Sequence, residues 1–73
     1  MNEIERIKFM QYMIKTKIKE IKEKHQTFGI YLPYGLIVAD SYKFGKNFKE
    51  NIYLYRNGTY IATIKIWAII EIS

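Results

Sequence analysis

The densest chemistry in this chain lies between Tyr42 and Lys49, where three lysines (Lys43, Lys46, Lys49) alternate with three aromatic residues (Tyr42, Phe44, Phe48) around Asn47. Lysine ammonium groups neutralise phosphates, and an aromatic ring offers a face on which an unpaired base stacks for about 1–3 kcal/mol. The Asn47 amide is both donor and acceptor and suits a base edge. Single-stranded RNA is the expected ligand of such a segment, because its bases can splay away from one another. Lys43, Lys46, Asn47, Phe48 and Lys49 are the candidates here. The same alternation also fits a strand whose aromatics enter a core while its lysines guard a solvated sheet edge.

The overall charge agrees with an anionic partner. Twelve Lys and Arg against seven Asp and Glu give a net charge of +5 in 73 residues, with an isoelectric point near 9.5. Catalytic constellations are not visible. Glu3, Glu5, Glu20 and Glu23 are interspersed with lysines, as on a solvated helix face. No Gly-rich phosphate loop and no Ser/His/Asp set is present. There is no cysteine, and the one histidine, His25, cannot make a metal site alone. The expectation is therefore a binding protein, not an enzyme, with no cofactor and no metal. No apolar run reaches the ~18 residues of a membrane span, and the charged start does not read as a signal peptide. A cytoplasmic protein is expected.

These residues must be positioned by a small chain, read as a single domain over residues 1–73. Residues 2–25 contain no Gly or Pro, and Ile4, Ile7, Ile14, Ile18 and Ile21 recur at helical spacing, with Met10 widening the stripe. Asn2 is the predicted N-cap, and Glu3 and Glu5 suit the first turn. Phe9, Tyr12 and Met13 form a second apolar patch on the opposite side, which suits a subunit or partner contact. Gln11 and His25 read as boundary residues of the stripe.

Residues 28–73 read as strands. Phe28–Leu32 ends at the turn Pro33-Tyr34-Gly35, and a strand resumes at Leu36–Ala39, running on toward Tyr42 or Phe44. A polar loop follows at Gly45-Lys46-Asn47. Ile52–Arg56 and Thr59–Ile66 flank Asn57-Gly58, the preferred pair for a two-residue type I′ hairpin turn. That turn predicts Tyr55 opposite Tyr60, Leu54 opposite Ile61, Ile52 opposite Thr63 and Glu50 opposite Lys65. In this register neither hairpin face is clearly polar, so both should be covered. Trp67-Ala68 interrupts the pattern before a last strand at Ile69–Ile72. The fold class expected is mostly β with an N-terminal helix, closing as a small, strongly bent five-stranded barrel. A flat three-stranded sheet on the helix is the alternative.

This order, and the stretches Ile30-Tyr31-Leu32-x-x-Gly35, Asn47-Phe48, Ile52-Tyr53-Leu54-Tyr55-Arg56-Asn57 and Trp67-Ala68-Ile69, resemble the Sm-like proteins of the Hfq branch. The resemblance covers about residues 28–73. It implies an Sm-like barrel assembled as a ring, commonly a hexamer, through pairing of the last strands of adjacent subunits. It also implies RNA bound on the ring faces, with a role as an RNA chaperone. Tyr31 matches a position that stacks a base in the family. Where the family carries a Lys-His pair for uridine, this chain has Ile66-Trp67, with Lys65 one place earlier. Lys65 and Trp67 are the candidates at that site, and Trp67 also suits a core. Lys46 stands where the family has an acidic residue.

Two other readings fit the same residues. One is a small interaction protein, such as a phage or mobile-element factor that binds a host protein through its helix and hairpin. The other is a basic DNA-binding domain. A short chain has a marginal core, and that favours self-association in the Sm-like reading.

Overall fold

The structure, a computed structural model, describes residues 2–73. Helix α1 (Glu3–Lys22) forms where the sequence lacks breakers, and it would span about 30 Å at the usual rise. Its start is held reciprocally. The Asn2 side-chain oxygen accepts from the Glu5 backbone N–H at 2.8 Å, and the Asn2 amide donates to the Glu5 carboxylate at 3.0 Å. Ile14 and Ile18 are buried, and Ile7, Met10 and Ile21 flank them. Ile4, at 61% exposed, is not part of the buried stripe. Gln11 reaches across to donate to the Lys49 carbonyl at 2.8 Å. No helix among the described residues is long and apolar enough to cross a membrane.

Six strands follow: β1 (Phe28–Leu32), β2 (Gly35–Ala39), β3 (Ser41–Phe44), β4 (Asn51–Arg56), β5 (Thr59–Lys65) and β6 (Glu71–Ile72). They form two three-stranded antiparallel sheets, ordered β2-β1-β6 and β3-β4-β5. A 3-10 turn at Ile66–Ala68 separates β5 from β6. The fold is thus α+β, one helix and six strands in two three-stranded sheets, and no closed barrel is found among the described residues. The sixth strand arises because the second predicted strand breaks at Asp40 and continues in the other sheet.

Asp40 holds that break from three directions. Its N–H donates to the Tyr55 carbonyl at 3.0 Å. Its carboxylate accepts from the Asn57 N–H at 2.7 Å, and its carbonyl accepts from the Lys22 ammonium. One residue therefore ties the corner of the two sheets to the hairpin tip and to the helix end. Asp40→Ala should cost about 0.5–1.5 kcal/mol by removing the acceptor of the Asn57 N–H. Urea unfolding followed by circular dichroism checks this, and an unchanged midpoint would refute it.

The Asn57-Gly58 turn forms as predicted, with φ of 53° and 76°. Tyr55 faces Tyr60 and Arg56 faces Thr59. Beyond them the register shifts between Leu54 and Tyr55, so that Leu54 faces Ala62, Tyr53 faces Thr63 and Ile52 faces Ile64. The expected pairs Leu54–Ile61 and Ile52–Thr63 are corrected by this bulge, in which Ile61 is the extra residue. Lys65 faces Asn51, not Glu50, yet still reaches the Glu50 carboxylate at 3.5 Å.

The bulge decides which face is core. Ile52 and Leu54 are fully buried, and Ile64 and Ile66 now join them. They meet Phe28, Ile30 and Leu32 of β1 in one core, closed by α1. Tyr42 and Phe44 also turn inward, with Tyr42 edge-on to Phe28 at 6.2 Å and to Phe44 at 5.4 Å. Burial pushes the Tyr42 phenol pKa up. Within the chain one hairpin face is covered by the core, and on the other face Tyr53 and Tyr55 are half-buried while Tyr60 is exposed.

Candidate nucleic-acid interface

The open face of the β3-β4-β5 sheet is built by alternation. Residues whose neighbours along the strand are buried must themselves point outward. Lys43 on β3 faces Tyr53 on β4, and Tyr53 faces Thr63 on β5. Tyr55 and Tyr60 stand opposite each other with their rings edge to face at 6.1 Å. The Tyr60 hydroxyl lies 2.6 Å from the Thr63 hydroxyl. A cleft of about 280 Å³ opens beside them, lined by Lys43, Phe44, Lys46, Tyr53 and Tyr55.

The eight residues singled out in the sequence fall into four places. Lys43 and Lys46 line that one cleft. Asn47, Phe48 and Lys49 are exposed in the loop that follows β3, with Phe48 at 59%. Lys65 lies at the far end of β5, partly neutralised by Glu50. Tyr31 is on the outer face of the other sheet, between Leu36 and Glu71. Trp67 is half exposed in the 3-10 turn, beside a cleft of about 550 Å³ that it shares with Glu3, Arg6, Ile7 and Met10.

The alternating stretch 42–49 is therefore split. Tyr42 and Phe44 are half-buried against the core, with Phe44 also lining the cleft, while Lys43, Lys46 and Phe48 are exposed. Sequence reasoning did not single out Tyr53 and Tyr55, which are half-buried, or Tyr60, which is exposed. The signal was present in Tyr53-x-Tyr55 flanking the apolar Leu54, but the assumed register placed all three tyrosines on a face with Ala62 and Ile64.

Electrostatics favour an anion on this side. Between Asp40 and Lys65 there are five Lys and Arg (Lys43, Lys46, Lys49, Arg56, Lys65) against Asp40 and Glu50. Both acids are engaged, Asp40 by the Asn57 N–H and Glu50 by Lys65. The net charge of this stretch is +3, and only Glu50 among its acids is ion-paired, to Lys65. No group of three or more His, Asp or Glu able to hold a metal occurs among the described residues. No protein-family model, curated protein or solved structure matches this chain.

Proposed function

We propose that the protein binds single-stranded RNA and assembles edge to edge as an Sm-like ring, with a hexamer the expected size and RNA chaperoning the expected role. The observation that carries this reading is the strand path. Strand β2 leads through Asp40 directly into β3, and the Asp40 N–H bonds the Tyr55 carbonyl, so the two sheets meet at that corner. Strands β5 and β6 are edge strands of the two sheets, each hydrogen-bonded on one side only. Unpaired strand edges are templates for pairing with another chain. Joining β5 of one copy to β6 of the next satisfies both and repeats around a closed ring. Lysines and exposed aromatics supply phosphate and base contacts.

Titration of labelled oligo(U) and oligo(A) tests the binding. With Lys43, Lys46 and Lys49 each neutralising one phosphate, log affinity should fall against log salt with a slope of about −2, at roughly 0.7 per phosphate for single strands. Absence of any salt-sensitive affinity would remove the RNA reading. Mass in solution tests the ring, and a monomer would remove it.

A second reading has its own support. Phe9, Tyr12, Met13 and Ile70 are each more than half exposed, and Phe9, Met13 and Ile70 line a shared groove. That surface suits a small protein whose partner is another protein. A dimer that ignores oligonucleotides would favour it.

A further inference from the structure

We infer that the outer face of the β3-β4-β5 sheet is a base-stacking platform for single-stranded RNA, with Tyr53, Tyr55 and Tyr60 as its rings. This rests on the RNA-binding reading above and assigns the binding to residues outside the lysine-rich loop.

Three observations converge on this face. First, the core does not need these tyrosines. The buried side of the hairpin is completed by Ile52, Leu54 and Ile64, and a sheet face that served only solubility would not carry three aromatic rings. Second, two of the rings support each other. Tyr55 and Tyr60 hold each other edge to face at 6.1 Å, and the Tyr60 hydroxyl is engaged by Thr63 at 2.6 Å. Rings so supported lose less freedom on binding. Third, the charge is complementary to a phosphate chain. Lys43 and Lys46 line the cleft against Tyr53 and Tyr55, while Glu50 is ion-paired with Lys65.

The spacing is also suitable. Tyr53 and Tyr55 are two residues apart on one strand, about 7 Å along it, and Tyr60 stands across from Tyr55 on the next. Bases splayed from one strand can lie on such rings in turn, with the phosphates following the lysines. Stacking of this kind tolerates any base, since every base has a π-face. Edge pairing of β5 with another copy would use backbone groups and leave this face open.

The test uses the full chain and labelled oligo(U) and oligo(A), read by fluorescence anisotropy. Tyr53→Leu, Tyr55→Leu and Tyr60→Leu keep bulk and remove the ring. Each should weaken binding about 5- to 150-fold, the range for loss of one stacked base. Parent-like affinity in all three leucine variants, with parent-like circular dichroism, would overturn the platform and leave the RNA reading standing. Absence of binding by the parent chain would instead remove the RNA reading itself. Should a leucine variant fail to fold, photocrosslinking of a thiouridine-containing oligonucleotide to the parent chain decides. Crosslinks within residues 53–60 support the platform, and crosslinks confined to other segments overturn it.

Discussion

Replacing Leu54 by Ala should cost about 2–5 kcal/mol, the range for emptying a well-packed leucine site. Domains of this length hold on the order of 4–11 kcal/mol in total, so much of the margin disappears with one side chain. Leu54 is fully buried and lies on the central strand of its sheet, between Tyr42 on β3 and Ala62 on β5. Strands on both sides hold the site open, so neighbouring side chains cannot collapse into the gap. Urea unfolding followed by circular dichroism should show the midpoint falling sharply. Ile61→Ala is the matched control. Ile61 is 41% exposed at the bulge, and its truncation should change stability by no more than about 0.5 kcal/mol, as surface substitutions do. Equal effects at the two positions would contradict the observed register, because the unbulged hairpin places them opposite each other.

Gly45→Ala should be the second severe change, for a reason of space. A Cβ at Gly45 would run into the Phe48 carbonyl oxygen and lie 3.1 Å from its carbonyl carbon. Both obstacles are backbone, which cannot swing aside as a flexible side chain can. The same carbonyl accepts from the Asn51 N–H at 2.9 Å, and the Gly45 N–H donates to the Asn51 carbonyl at 3.0 Å. Opening the loop for one methyl group therefore loosens the closure between β3 and β4. A cost of about 1–3 kcal/mol is expected from overpacking. The Asn51 amide should also exchange its hydrogen faster. The loop carries Lys46, Asn47, Phe48 and Lys49, so this uncharged substitution should also disturb their arrangement. Unchanged stability together with unchanged Asn51 exchange would refute the close approach.

Much of the architecture is readable from residue types because local chemistry dictates it. Asn2 and Glu5 mark the helix start, the absence of Gly and Pro carries it to Lys22, and Asn57-Gly58 fixes the hairpin turn. Two single residues escape such reading. Ile61 sits in an unbroken run of strand formers, so nothing local announces a bulge there, and only the packing of Ile64 and Ile66 demands one. Asp40 looks like an ordinary interruption, and its role depends on partners at Lys22, Tyr55 and Asn57 that are remote in sequence. The candidate site inherits the same difficulty. Lys43 and Lys46 stand out as charges among aromatics, whereas the face that Tyr53, Tyr55 and Tyr60 occupy depends on the parity set by Ile61.

Trp67 gives the molecule a built-in optical reporter. It is the sole indole in the chain, half exposed where the 3-10 turn meets the first turns of α1. The seven phenols, by contrast, are all in the helix or the strand region, and three of them cluster on the open sheet face. Emission from the indole thus monitors whether the helix is seated, while six of the seven tyrosines, all but Tyr12, report on the strand region. Undocking of α1 and melting of the hairpin can be told apart in one cuvette, with no label attached.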